Sequence, residues 1–168
     1  MSTPADLIVV NTSPLLALDA CSQIDVLRVM YRQVVVPEVV DKELSAGKTR
    51  PLLPGGLTAA HRAWIQVLPL SRPIRPSLLA KLDPGEAAVI QLALELGTPQ
   101  VLIDERRAWK EAAQEGLTPV GSVGILLLAK KKGLIAEIKP HLHEMRNKGL
   151  YLSKRVIDGA ITQAGETP

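Results

Sequence analysis

The chain has 168 residues, 46% of them hydrophobic and 22% charged, with a formal net charge of +3 and an isoelectric point near 9.1. These values exclude a disordered chain and suit one domain with a substantial core. Two Trp, two Tyr and no Phe argue against RNA-recognition and single-strand-binding modules, which display many rings. The single Cys21 excludes an internal disulfide and fits a reducing cytoplasm.

Residues 1 to 6 place no basic region before the first apolar run, so no signal peptide is expected, and the runs 7–10 and 124–129 are too short to span a bilayer. Leu7-Ile8-Val9-Val10 reads as a strand buried on both faces. It ends at Asn11, and Ser13 then reads as the N-cap of a helix opened by Pro14 and running to Ala20. A second helical piece follows from Ile24 to about Tyr31, then a strand at Val34-Val35-Val36 and a helix from Pro37 to about Leu44. Residues 47–56 carry the clearest loop composition. A helix over 58–64, a strand over 65–68 and an extended linker over 71–76 come next.

Asp83-Pro84-Gly85-Glu86 announces the strongest helix, 84 to 96, stopped by Gly97. Val101-Leu102-Ile103 reads as a strand, 105–115 as a helix, Pro119-Val120 as a short strand and 123–132 as a helix. Helical patterns at 136–148 and 153–163 close the chain. Short β-branched runs alternating with helices predict a parallel sheet with helices on both faces. We expect one domain over 1–168, with 136–168 a helical extension packed on it.

Acidic and amide side chains recur where ligands bind in such folds. Asn11 ends the first strand and Asp104 follows a later one, with Glu105 behind it; strand ends of one polarity share an edge. Glu43 falls on the apolar stripe of its helix with Val36, Val39, Val40 and Leu44. Glu86 shares a face with Val89, Ile90 and Ala93. A carboxylate facing a core needs a partner, a hydrogen bond or a metal. Three carboxylates and an amide oxygen make a hard-oxygen set suited to Mg²⁺ or Mn²⁺ and to phosphodiester hydrolysis. Plainer roles stand beside this one. Asp83 and Glu86 form a capping-box pattern, Glu43 can pair with Lys42 or Lys48, and Asp104 can cap the next helix. Arg106 and Arg107 suit phosphate contact. Lys130-Lys131-Lys132 is better explained by a helix C-terminus, and Gly121-Ser122-Val123-Gly124 reads either as a phosphate cradle or as a helix N-cap.

The order Asn11-Thr12-Ser13-Pro14-Leu15-Leu16, Val35 to Leu44, Leu82-Asp83-Pro84-Gly85-Glu86-Ala87, Val101 to Ala108 and Pro119 to Lys130 resembles the PIN-domain family. It most resembles the prokaryotic, VapC-like nuclease and toxin group whose members open with Asn-Thr-Ser-Pro. The resemblance runs from about Ile8 to Ile161. It implies a three-layer α/β/α sandwich around a parallel sheet and a Mg²⁺- or Mn²⁺-dependent ribonuclease acting on RNA. It implies a catalytic and metal-binding set of Glu43, Glu86, Asp104 and Asn11, supported by Thr12, Ser13 and Glu105, with Arg106 and Arg107 on RNA. The family's first acidic position is usually Asp and is Asn11 here, so a PIN-like scaffold that binds RNA or protein is the alternative. A homodimer and a small antitoxin partner are implied too, and the apolar pieces Leu15–Leu18 and Ile24–Met30 are in excess of one small core and offer a surface for them.

Overall fold

In the computed structural model, residues 6–46, 52–53 and 56–168 are described. Of the loop expected over 47–56, residues 47–51, 54 and 55 lie outside them. Five strands form one parallel sheet: β1 (Leu7–Val10), β2 (Gln33–Pro37), β3 (Ile65–Leu68), β4 (Gln100–Leu102) and β5 (Thr118–Val120). Their order is β3-β2-β1-β4-β5, so β1 is central, and Val9 pairs with Val35 on one side and Val101 on the other. Successive residues of a strand point to opposite faces. Ile8, Val9 and Val10 are nevertheless all fully buried, as are Val35, Val36, Val101 and Leu102, so both faces of the sheet are covered. The result is the expected three-layer α/β/α sandwich. No helix among the described residues is long and apolar enough to cross a membrane.

The helices are α1 (Thr12–Ala20), α2 (Val26–Met30), α3 (Glu38–Ser45), α4 (Ala59–Arg62), α5 (Pro76–Leu79), α6 (Pro84–Leu96), α7 (Arg106–Gln114), α8 (Ser122–Lys131), α9 (Lys139–Asn147) and α10 (Lys154–Gln163). The long α6 is buried almost all round from Gly85 to Ala93 and packs on β1, β2 and β4. Gly97 ends it with φ of 68°, in the left-handed region that glycine enters without a steric cost. The two C-terminal helices pack back on the body: α9 against α1, and α10 against α8 and α9.

Two expectations are corrected here, the N-cap of α1 and the fate of the early apolar pieces. The first helix starts at Thr12, so Asn11 and not Ser13 is its N-cap. Pro14 tolerates this because the N–H groups of the whole first turn lack intrahelical partners. Residues 71–75 are outside any helix or strand, as expected of the linker, and the short helix α5 follows directly, opened by Pro76 and closed by backbone bonds to the Pro76 and Leu78 carbonyls. The apolar pieces of the first two helices are not spare surface. Leu15, Leu18, Ile24, Val26 and Leu27 are buried in the core, and only Val29 stands well out, 64% exposed. A core without phenylalanine needs these extra aliphatic side chains to fill it.

Candidate metal and nucleic-acid site

The carboxyl edge of the sheet gathers the polar residues. The Asn11 backbone N–H donates to the Leu102 carbonyl at 3.0 Å, carrying the β1–β4 ladder one step past β1. Asn11 and Asp104 therefore stand on neighbouring strand ends. Asn11 is buried, and its side chain makes no capping bond to α1. An amide at an N-cap usually does so.

Glu43 and Glu86 come together beside α1. The Thr12 hydroxyl donates to Glu43 Oε2 at 2.7 Å. That bond, and not an ion pair with Lys42, is what a half-buried carboxylate on the apolar stripe has found. The Gly85 N–H adds a second, weaker pull on the same group. A Cβ at Gly85 would sit 2.5 Å from Glu43 Oε1, so a side chain there would push the Glu43 carboxylate out of its present place. Glu86 does form the capping box: its N–H donates to Asp83 Oδ1 at 2.8 Å, and its Oε2 accepts from the Asp83 N–H at 3.2 Å. One of its oxygens is thus folded back on the helix end.

Asp104 is served differently. It does not cap α7; Glu105 does, accepting the Arg107 N–H at 3.4 Å. The Asp104 carboxylate turns to the start of α8, where it accepts the Ser122 N–H at 2.6 Å and the Ser122 hydroxyl at 2.9 Å. Of the two readings of Gly121–Gly124, the helix N-cap falls on Gly121 and not on Ser122, and the Ser122 amide that a phosphate could have used is taken by the protein's own carboxylate, which the partial positive charge of a helix N-terminus favours. Gly121 is again a clearance residue, since a Cβ there would lie 2.9 Å from Asp104 Oδ1. Asp104 sits at the base of an open cleft. Protein surrounds it on most sides, yet its surface remains open to water.

The three carboxylates share one electrostatic signature. Burial pushes Glu43 above its ordinary range, and the charge of Asp83 adds to this, against the Thr12 and Gly85 bonds. Burial also pushes Glu86 up, helped by Asp83, Glu105 and Glu43. The surrounding protein raises Asp104 against the two Ser122 bonds. Burial, which leaves the charged form incompletely hydrated, is the main cause in all three, and crowded negative charge adds to it at Glu43 and Glu86 alone. Among the described residues, none of Glu43, Asp83, Glu86, Asp104 and Glu105 forms an ion pair with Lys or Arg. Nor do any three His, Cys, Asp or Glu side chains among them stand close enough together to hold one ion. The donor set still suits a hard cation: Mg²⁺ is commonly held by one or two carboxylates, with water and substrate phosphate completing the shell.

Other expected residues take simpler places. Ser13 is exposed and lines the cleft with Asp104, Glu105 and Ser122. Arg106 and Arg107 are exposed on the first turn of α7. Lys130 pairs with Glu166 at 2.9 Å rather than reaching the edge. His61 completes the Thr58 cap of α4 and lies edge-on to Trp64. Sequence reasoning missed the structural use of Gly85 and Gly121. The only signal was a glycine directly before an acidic or hydroxyl side chain at a helix start.

A family model described as PIN domain matches residues 7–166. No curated protein and no solved structure matches the chain.

Proposed function

Because the chain belongs to the PIN-domain family, we propose that it is a metal-dependent RNA endonuclease, the toxin component of a toxin–antitoxin pair acting in the cytoplasm. The observation that carries this reading is the un-neutralised acidic edge. Beyond burial, Asp83 raises the proton affinity of Glu43, and Asp83, Glu105 and Glu43 raise that of Glu86, with no ion pair to Lys or Arg among the described residues to offset them. A protein tolerates such crowding at a site that a cation completes.

In this reading one or two of Glu43, Glu86 and Asp104 at a time bind Mg²⁺ or Mn²⁺, water and substrate phosphate complete the shell, and the Asn11 amide oxygen is a neutral donor beside them. The bound ion lowers the pKa of water and offsets charge growing on the phosphate. Thr12 and Ser122 hold Glu43 and Asp104 in place by hydrogen bonds. Ser13 and Glu105 line the approach, and Arg106 and Arg107 meet the RNA backbone. A homodimer and a small antitoxin partner are part of the proposal through the family alone. A second reading, a PIN-like scaffold that binds RNA or protein without cutting, draws on Asn11, which brings no charge to the position where the family usually has Asp.

The test is cleavage of labelled RNA by purified protein with Mg²⁺ or Mn²⁺, against chelator. Losing several kcal/mol of charge stabilisation means a fall on the order of 10²-fold or more in the Glu43→Gln plus Asp104→Asn double variant. Undiminished cleavage by that variant sinks the assignment. RNA binding without cleavage, and without stabilisation by Mn²⁺, identifies the scaffold.

A further inference from the structure

A cleft of about 510 Å³ opens from the acidic edge toward the C-terminal helices. One wall is Ser13, Asp104, Glu105, Gly121 and Ser122; the other is apolar, with Met145, Leu150, Leu152 and Val156. Tyr151 stands on the second wall, 93% exposed. It is one of four aromatic residues in the chain, and Tyr31, by contrast, is buried. Exposing a tyrosine forfeits a large apolar contact area. The backbone that carries the ring is nonetheless anchored on both sides. Leu150 and Leu152 on either side of it pack against the core, the Leu150 N–H bonds to the Met145 carbonyl, and Ser153 caps α10 through the Val156 N–H. From Met145 to Ile157 the chain carries Arg146, Lys148, Lys154 and Arg155 and no acidic residue. Lys148 and Lys154 reach Glu144 and Asp158, but such exposed pairs are weak and exchange readily for other anions.

We propose that this cleft receives an unpaired base of the RNA next to the phosphodiester, stacked on the Tyr151 ring. The inference rests on the ribonuclease reading above. The arrangement matches the needs of one nucleotide: a flat apolar platform for the base, cations beside it for the backbone, and the acidic edge where the reacting phosphate is neutralised. A peptide fits less well, because the cleft joins an acidic wall to a basic segment across a short apolar floor, with only one protruding ring.

The test is binding of short single-stranded RNA by fluorescence anisotropy in Ca²⁺, with single abasic positions introduced one at a time. Base–aromatic stacking predicts a roughly ten- to hundredfold loss of affinity for Tyr151→Ala and retention for Tyr151→Phe, which keeps the ring. One abasic position causes a similar loss in the wild type and none further in Tyr151→Ala. Equal abasic losses in both proteins, or no effect of Tyr151→Ala, overturn the proposal, including the case where the cleft takes a polypeptide. A wild type that shows the coupling but never cleaves with Mn²⁺ defeats the nuclease reading alone.

Discussion

Beside α3 and α6, Glu43 and Glu86 are shielded, tied to Thr12, Gly85 and Asp83, and both crowded by the charge of Asp83. Beyond β4, Asp104 is surrounded by protein on most sides but keeps an exposed face on the cleft, and among the described residues it is tied to Ser122 alone. The same residue type at the same sheet edge thus meets two environments. The shielded side stores electrostatic repulsion that only a proton or a metal relieves. The open side keeps a carboxylate oriented while leaving room for a substrate. Both use one device, a hydroxyl donor for direction and a glycine for clearance.

Substitutions that change charge or remove a donor on one side test this contrast. The largest effect is expected from Asn11→Asp, which adds a carboxylate to a buried position beside the crowded side. Thermal unfolding in chelator should show a loss of about 3 kcal/mol, reversed by Mn²⁺. A variant as stable as wild type in chelator, and no more responsive to Mn²⁺, contradicts the picture of stored repulsion. Thr12→Val comes next, since it removes the 2.7 Å bond to a shielded carboxylate. About 2 kcal/mol is expected by denaturant titration, with Thr12→Ser restoring most of it. Ser122→Ala should cost less, about 1 kcal/mol, because Asp104 keeps the Ser122 N–H and reaches water. Equal costs for the two variants would erase the distinction between the sides.

The smallest effect at any one pH is the titration of Glu43 and Glu86. Both bind their protons more tightly in the folded than in the unfolded chain. Their contribution to stability is complete below the ordinary value of 4.5 and is lost as pH rises through their higher folded values. In chelator, melting temperature against pH should therefore decline less steeply above 4.5 in Glu86→Gln than in the wild type. A steeper decline in the variant would reverse the sign.

Much of this was legible in advance. The apolar runs marked the strands, and Glu43 betrayed itself as an acid on an apolar stripe. Asp83 and Glu86 announced their capping box, and the two strand ends put Asn11 beside Asp104. Local pattern does not encode where a side chain goes when two local options compete. Asp104 resembles a helix cap for α7, yet Glu105 takes that role, which frees Asp104 to reach α8, eighteen residues on. Gly85 and Gly121 escaped for a different reason: their contribution is the absence of an atom, visible only once a distant carboxylate is set beside them. The buried fate of Leu15 to Leu27 likewise depends on total core volume, which no short window reports.

The strand order has a kinetic consequence. Val9 pairs with Val35, close in the chain, and with Val101, far along it. The half-sheet β1-β2-β3 closes over connections of 22 and 27 residues (11–32 and 38–64), whereas β4 must find β1 across 89 residues (11–99), a costlier closure in loop entropy. Asn11 and Asp104 are therefore apart until that late event, and the acidic edge is the last part of the sheet to exist. Trp64, next to β3, and Trp109, beside Gly121, sit in the two halves and give each a fluorescent witness during refolding.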